Sequence, residues 1–317
     1  MANIVRVYVC PGLNKRPSLS QLKQEKERKV LRLPAVTCIE MGHTPKMFIF
    51  LVVLAYFAIA IEAGTTLSNV KETYNRFKYK IFDVDATYYG NQGGRRKCTF
   101  NPLSPKILNA IRRNNWIVVA AAPGTYQESV GCGMCVEITG TGKGSGASPI
   151  KGKRKAMIVD RCPGCRNKAL DFAVAGDGRW KIHYRAIDCP TLGGRKGKIQ
   201  FRFQGSNPYF IKLQERNTKI PTAGMEILVN GKYHCMKRAS DNFYIATGKT
   251  KTPLTIRLTA VNGQQATTRI PEIRNNFDFT SWVQFKGFKS GPGPNGIKCF
   301  GQGNRHPYPA GGMRPGK

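Results

Sequence analysis

Short runs of alternating apolar and polar residues recur along most of the chain after residue 83, and glycine, proline or asparagine separates one run from the next. Runs of this kind are typical of β-strands that bury one face and expose the other. They fall into two blocks, 83–204 and 205–273. The hydrophobic pattern therefore predicts a mainly β protein built from two consecutive domains.

The first block contains four clear strand patterns, which begin at Trp116, Cys135, Ala156 and Lys198. Many short strands with glycine-rich connections favour a β-barrel or a β-sandwich. The segment 101–115 differs, because prolines stand near its start and apolar residues follow at helical spacing. This segment is predicted to be a helix.

The second block reads almost entirely as strands, which begin at Tyr209, Met225, Phe243 and Leu254. Two Asn-Gly dipeptides, at 230–231 and 262–263, favour tight β-hairpin turns. A block of this length made of hairpins predicts a small immunoglobulin-like β-sandwich. Glycine and proline become frequent towards the end, so 274–317 is predicted to be a basic tail, with 289–317 disordered apart from a tether at Cys299.

An apolar run at 47–61 precedes both blocks, and small residues follow it. Because about 20 residues are needed to cross a bilayer, the run is interpreted as part of a signal peptide at 47–63. A buried core helix or a short membrane anchor is the alternative. Residues 1–46 are then an extension ahead of the true start, with Met41 and Met47 as candidate starts, and 64–82 is a polar lead-in.

The charge of the chain is strongly positive, with 51 lysines and arginines against 18 aspartates and glutamates and a net charge of +33. Residues 1–63 hold 9 of the basic and 4 of the acidic residues, so the remainder keeps +28. Such an excess favours nucleic acid, an anionic membrane or an acidic polysaccharide as partner. Export makes nucleic acid the least favoured of these. We expect a secreted, extracellular monomer without stable membrane insertion.

Eight cysteines follow residue 63, namely Cys98, Cys132, Cys135, Cys162, Cys165, Cys189, Cys235 and Cys299. An even number in an exported chain indicates disulfides. Four of them form two C-x-x-C pairs, a spacing that zinc ribbons also display. Export and the cysteines left over beside these pairs argue against zinc, and no βαβ pattern supports a thioredoxin-like redox site. We therefore expect disulfides, no metal and no cofactor.

Four motifs occur in a fixed order at suitable distances: DATYYG at 85–90, GCGMC at 131–135, IVDRCPGC at 158–165 and ALDF at 169–172. Together they resemble the first domain of the expansins and expansin-like proteins. The second block, which opens GSNPYF at 205–210, resembles the carbohydrate-binding module of the same family. The resemblance covers about 83–273 and implies a six-stranded double-psi β-barrel, related to glycoside hydrolase family 45, ahead of the β-sandwich.

The resemblance also implies a set of disulfides, which are Cys98–Cys132, Cys135–Cys189 and Cys162–Cys165. Cys235 and Cys299 are the two cysteines that remain, and we expect them to pair only because no other partner is left.

The resemblance further implies an acidic site at Asp160, the position of the general acid in the related hydrolases and of the acid needed for wall loosening in expansins. Asp171 and Thr87 match two further family positions in the groove. Taken alone, Asp160 is equally well explained as a turn-capping residue, whereas for Asp171 the N-cap of a following helix is the better explanation. Gly90 and Asn91 stand where the hydrolases carry their base, and a glycosidase needs two carboxyl groups. We therefore expect no ordinary hydrolysis.

Polysaccharides bind to flat aromatic surfaces, because the C–H faces of sugar rings lie on electron-rich rings. Trp116 and Trp180 are expected in the core instead. Neighbouring residues in a strand point to opposite faces. For the adjacent pair Tyr209 and Phe210, the alternative is therefore that Phe210 lies in the core and Tyr209 on the surface. The candidate polysaccharide-binding residues are Tyr88, Tyr89, Tyr209, Phe210 and Tyr244.

The sequence thus favours a secreted, non-enzymatic, expansin-like protein that binds cellulose and matrix polysaccharides and loosens them. Its positive charge adds attraction to acidic, pectin-like glycans, which salt should weaken. One alternative is a family 45-type endoglucanase with an unusual base. A second alternative is a barwin-like secreted lectin, or a matrix or defence protein.

Overall fold

The structure is a computed structural model that describes residues 65–90, 96–100, 116–190 and 197–300. The extension at 1–46, the signal peptide at 47–63 and the helix at 101–115 are predictions that lie outside the described residues. The end of the predicted tail, 301–317, and Asn91 also lie outside them.

Six strands close into a barrel in the order β1-β5-β2-β4-β3-β6. They are β1 (Ile81–Tyr88), β2 (Trp116–Ala121), β3 (Cys135–Gly144), β4 (Lys151–Arg161), β5 (Leu170–Phe172) and β6 (Trp180–Ile187). Both parallel pairs, such as β1 with β5, and antiparallel pairs, such as β3 with β6, occur. The prediction of a six-stranded barrel is confirmed.

Strict alternation along the barrel strands decides which side chains fill the interior. Along β6, Trp180, Ile182 and Tyr184 are buried, whereas the residues between them are partly exposed. Burial of large apolar side chains of this kind supplies about 1.5–3 kcal/mol each. Trp116 and Trp180 both belong to this core, as expected from the sequence.

Nine further strands form two antiparallel sheets. The first sheet contains β10 (Lys232–Cys235), β9 (Thr222–Val229), β13 (Leu254–Ala260) and β14 (Gln265–Ile270). The second contains β11 (Lys237–Arg238), β12 (Tyr244–Thr247), β8 (Phe210–Arg216), β7 (Gln200–Phe203) and β15 (Asp278–Thr280). Apolar side chains from both sheets share one core, among them Leu213, Ile227 and Ile256. The two sheets therefore form the predicted sandwich.

Both ends of the sandwich extend beyond the predicted boundaries. Strand β7, at 200–203, pairs with β8 and β15 in the sandwich and not with the barrel. Residues expected in a tail are folded, because β15 completes the sheet and Phe285 is buried in the sandwich core. Glycine and proline are dense only from Gly287 onward, and the segment before it carries apolar residues such as Phe279 and Phe285.

The polar lead-in also contains structure that the sequence analysis did not predict. Helix α1 spans Leu67–Lys78, and the Thr66 side chain caps it by accepting a hydrogen bond of 3.3 Å from the Asn69 amide. Val70 is buried, and the Phe77 ring stacks on Phe288 with 4.5 Å between centroids. A short helix, α2 (Pro123–Tyr126), follows β2. Of the helices in the described ranges, none is both long and apolar enough to span a bilayer.

Four disulfides link the described cysteines. Three lie in or beside the barrel, at Cys98–Cys132, Cys135–Cys189 and Cys162–Cys165, and these are the pairs that the family resemblance implies. The fourth, Cys235–Cys299, fixes the C-terminal segment to the first sheet of the sandwich. Helices and sheets of 65–300 therefore belong to one compact, cross-linked unit.

Candidate functional site

Four neighbouring barrel strands bring Thr87, Asp171, Ala120 and Asp160 into one row. Thr87 on β1 is the register partner of Asp171 on β5, and Asp171 is the partner of Ala120 on β2. Ala120 in turn faces Asp160 on β4. Because neighbouring strands lie about 4.8 Å apart, the two aspartate Cα atoms are separated by about 10 Å. The sequence-predicted acid and its two groove partners therefore lie together.

Asp160 lies near the end of β4, immediately before the Cys162–Cys165 turn. Its Oδ1 accepts hydrogen bonds from the backbone amides of Lys97, at 2.6 Å, and Arg161, at 2.8 Å. These bonds hold the carboxylate in place. They join it to the neighbouring loop rather than to amides of the Pro163-Gly164 turn.

A groove of about 480 Å³ opens in front of this carboxylate. It is lined by Arg96, Lys97, Thr99, Asp160, Arg161, Pro163 and Asp241. Three of these side chains are cationic and two are anionic, so the groove can offer both donors and acceptors. Such a mixture suits sugar hydroxyl groups, which donate and accept hydrogen bonds.

Asp171 differs from Asp160 in its surroundings. The Thr87 hydroxyl donates a hydrogen bond of 2.6 Å to Asp171 Oδ1. Burial raises the pKa of Asp171, the bond from Thr87 opposes this effect, and the negative charge of Asp160 adds to it. Asp171 lies inside strand β5, so the alternative of a helix N-cap does not hold.

The two tyrosines after Thr87 have different exposures. Tyr88 is 37% exposed, and its ring stacks on Trp180 with 5.8 Å between centroids. Tyr89 is half-buried against the barrel core, and burial raises its pKa to about 12 while Arg96 opposes the shift. Tyr88 therefore offers a ring face to a ligand more readily than Tyr89 does.

The start of β8 carries the aromatic pair of the sandwich. Tyr209 is 54% exposed and precedes the strand, which begins at Phe210. Ile211 and Leu213 point into the sandwich core, so Phe210 and Lys212 lie on the opposite, outer face. Phe210 is half-buried and is absent from the sandwich core, which removes the alternative of a core phenylalanine.

A chain of contacts links this aromatic pair to the groove. Lys212 Nζ donates a hydrogen bond of 2.9 Å to Asp241 Oδ2. The Asp241 carbonyl accepts a bond of 2.5 Å from the Thr99 hydroxyl, and both residues line the groove beside Asp160. The outer face of β8 therefore continues into the barrel groove.

Tyr244, predicted to bind polysaccharide, is wrongly assigned. Its side chain is fully buried in the sandwich core, and its hydroxyl accepts a hydrogen bond from Arg238. Tyr244 pairs with Leu213, whose side chain also points inward, so the register of β12 directs the ring into the core. Phe243, the residue before it, is buried as well.

The sequence analysis missed the aromatic residue with the greatest exposure in the described ranges. Trp282 follows the edge strand β15 and is 74% exposed. Ile199 accepts a hydrogen bond from the Ser281 amide and donates one to the Val283 carbonyl, so Trp282 bulges outward between them. A lone tryptophan shortly before the glycine- and proline-rich end of the chain was the available signal.

The described residues do not provide a convincing metal site. Two groups bring three potential ligand atoms together: Cys162, Cys165 and Asp171, and Glu226, Cys235 and Cys299. In both groups the sulfur atoms are tied in a disulfide, so only one carboxylate remains to bind an ion.

Comparison with known proteins gives consistent relatives. The chain is 24% identical over 238 residues to Expansin-YoaJ of Bacillus subtilis, covering 71% of this chain and 89% of the relative. It is 26% identical over 237 residues to Expansin-B6 of Arabidopsis thaliana, covering 65% of this chain and all of the relative. No protein-family model matches the chain.

The chain is therefore similar to expansins over most of its length. Among solved structures, the crystal structure of an apo expansin from Clavibacter michiganensis has the same fold, with a TM-score of 0.53 and 18% identity. The likeness covers 65% of this chain and 98% of that one. A point mutant of the Clavibacter expansin in complex with cellohexaose is similar at a TM-score of 0.53, 17% identity and the same coverage.

Proposed function

We propose that this chain is a secreted expansin that binds cellulose and matrix polysaccharides and loosens their assembly without cutting them. The observation that carries the proposal is the continuous line of groups from Asp160 to the Phe210 ring. A glucan chain lying along it contacts carboxylates and cations in the groove and an aromatic ring on the sandwich. The cellohexaose complex of the Clavibacter relative supports a cellulose-type ligand.

Loosening without hydrolysis is supported by the residue at the position of the hydrolases' base. Hydrolysis of a glycosidic bond needs one carboxyl group as acid and a second as base or nucleophile. Gly90 stands near the position where the related hydrolases carry the base, and it has no side chain. Asp160 then acts by binding sugar hydroxyls, which competes with the hydrogen bonds between neighbouring glucan chains.

Secretion is part of the proposal. Four disulfides are typical of proteins that fold in an oxidising compartment. The apolar run at 47–61 supplies the export signal in this interpretation.

The deciding experiment compares wild type, Asp160→Asn and a control, Asp83→Asn. Asp83 is a suitable control because its side chain is 81% exposed. We expect wild type and control to weaken filter paper without releasing reducing ends, and Asp160→Asn to bind cellulose but fail to weaken it. If Asp160→Asn weakened filter paper as well as the wild type does, Asp160 would be a structural cap and not a residue needed for loosening. Absence of weakening by the wild type would favour a lectin or matrix protein.

A family 45-type endoglucanase is the second candidate, and the state of Asp171 favours it. A carboxyl whose pKa is raised by burial can hold a proton and serve as a general acid. Asp160, about 10 Å away across two strands, would then have to activate water. Release of reducing ends from soluble glucan, abolished in both Asp160→Asn and Asp171→Asn, would establish this candidate.

A further inference from the structure

The barrel carries a second exposed surface on the side away from the groove. The row from Thr87 to Asp160 crosses β5 and β2, whereas β3 and β6 lie on the other side of the closed barrel. We call the outward side chains of β4, β3 and β6 at this place the basic face. Its residues are Lys151, Lys153, Lys155, Glu137, Thr139, Thr141, Lys181, His183 and Arg185.

Strand register arranges the basic face in ordered rows. Lys155, Glu137 and Arg185 are partners across the three strands. Lys153 and Thr139 stand side by side in the next row, and Lys151 and Thr141 follow in the row after that. The lysines of β4 repeat at every second residue, so their Cα atoms are about 7 Å apart.

Ion pairs neutralise only part of this face. Asp85 on β1 binds Lys181 at 2.6 Å and Arg179 at 3.0 Å, and Glu137 contacts Arg185 at 3.5 Å. Within the described ranges, neither Lys151 nor Lys153 takes part in an ion pair, and both are exposed.

The three lysines of β4 have exposed side chains. Lys155 Nζ lies 5.9 Å from the centroid of the Trp116 ring, and the side-chain carbons of Lys151 lie beside Gly142. Like charges that repeat along one face of a strand repel each other. This repulsion is offset when an anionic polymer lies along the row of lysines, because each ammonium group then gains a counter-charge.

We propose that the basic face is a docking surface for a linear acidic polysaccharide, whose carboxylates pair with the lysines of β4. The proposal rests on the proposed function in wall polysaccharide binding and assigns it a second site. Thr139 lies beside Lys153 and can exchange hydrogen bonds with sugar hydroxyls, whereas the Thr141 hydroxyl is already bonded to the Lys181 carbonyl and the Lys143 amide. The four disulfides favour an extracellular polysaccharide over nucleic acid as the polyanion.

The test measures binding of the full chain to polygalacturonate and, separately, to cellulose. The variant is Lys151→Gln/Lys153→Gln/Lys155→Gln. The control is Lys232→Gln/Lys286→Gln/Lys289→Gln, which removes the same charge from exposed positions outside the barrel. We expect the variant to bind polygalacturonate about tenfold more weakly than the wild type at low salt. Near 1 M salt, where the screening length is about 3 Å, the variant and the wild type should both bind weakly. Cellulose binding should be unchanged.

Three outcomes would overturn the assignment. One is an equal loss in variant and control, because only net charge would then matter. Another is stronger binding of the wild type to double-stranded DNA or to anionic phosphatidylserine vesicles than to polygalacturonate at equal charge concentration. The last is polygalacturonate binding that does not depend on salt. If the proposed function itself failed, the wild type would neither bind cellulose nor weaken paper, although its basic face is intact. That result differs from each of the three outcomes above.

Discussion

The Thr99 hydroxyl donates a hydrogen bond of 2.5 Å to the carbonyl of Asp241, and this bond joins the loop beside Asp160 to the sandwich. The side-chain amide of Gln214 donates bonds to the same hydroxyl and to the Cys98 carbonyl. The groove and the outer face of β8 are therefore held in fixed alignment. In the proposed function, one glucan chain must contact both surfaces, so this alignment matters for loosening.

Replacing Thr99 by valine should separate alignment from ligand binding. Thr99→Val keeps the branched shape but leaves the Asp241 carbonyl without its donor, which should cost about 1–2 kcal/mol of unfolding free energy. We expect cellulose binding to be retained and paper weakening to decrease. The control is Thr267→Val, at an exposed position on β14. Paper weakening at the wild-type level in a Thr99→Val protein of reduced stability would show that alignment is unimportant.

The aromatic pair at the start of β8 should bind ligand without supporting the core. Tyr209→Ala/Phe210→Ala is expected to weaken binding to insoluble cellulose while the unfolding free energy changes by less than about 1 kcal/mol. Phe203→Ala is the contrasting variant, because Phe203 is buried and should cost about 3–5 kcal/mol. Urea unfolding and cellulose pull-down measure the two effects. A loss of several kcal/mol in the double variant would identify the pair as core residues.

The disulfides should stabilise the fold in proportion to the chain they enclose. Cys135 and Cys189 are 54 residues apart, whereas Cys162 and Cys165 are 3 apart. Loop-closure entropy predicts a cost of about 4 kcal/mol for removing the first pair as Cys135→Ala/Cys189→Ala, and about 2 kcal/mol for Cys162→Ala/Cys165→Ala. Thermal unfolding of both variants gives the comparison.

A chelator provides the complementary measurement. It should leave the unfolding midpoint of the wild type unchanged, whereas a reductant should lower it. Stoichiometric zinc in the purified protein would contradict the disulfide interpretation.

Four short motifs made the barrel and the groove predictable, because they carry the resemblance to the expansins. The positions of the cysteine turns and of Asp160 follow from that resemblance. The register of distant strands is not encoded locally in this way. Tyr244 shows the consequence, because its direction depends on pairing with Leu213, 31 positions earlier, and a surface tyrosine and a core tyrosine look alike in the sequence.

At both ends of the described chain, the composition did not indicate the structure that forms there. Helix α1 is mostly polar and buries few side chains, of which Val70 is the clearest apolar one, so its pattern was too sparse to be recognised. Phe285 lies just before the stretch rich in glycine and proline, and it packs into the sandwich core. In both segments, the stabilising contacts are long-range, and the local sequence carries little sign of them.

Stability of the fold should fall as the pH rises towards neutrality, because of a buried carboxyl on β8. Glu215 is 6% exposed, and burial raises its pKa from 4.5 to about 7, although the positive charge of Arg238 opposes the shift. Between these two pH values the folded protein keeps a proton that the unfolded chain has lost. The proton stabilises the folded state fully below about pH 4.5, and its contribution disappears as the pH rises through about 7.

The expected loss of unfolding free energy across this window is about 3 kcal/mol, from a pKa difference of about 2.5 units. Urea unfolding at several pH values between about 4.5 and 8 measures it. Glu215→Gln carries no titrating group at this position, so its unfolding free energy should depend less on pH than that of the wild type, with Asp171, whose pKa burial also raises, contributing in the same direction. The control Glu272→Gln, at an exposed position, should retain the wild-type slope. If the unfolding free energy of Glu215→Gln depended on pH as steeply as that of the wild type, another group would be responsible. The Glu215 carboxyl would then have to be ionised in the folded state throughout this pH range.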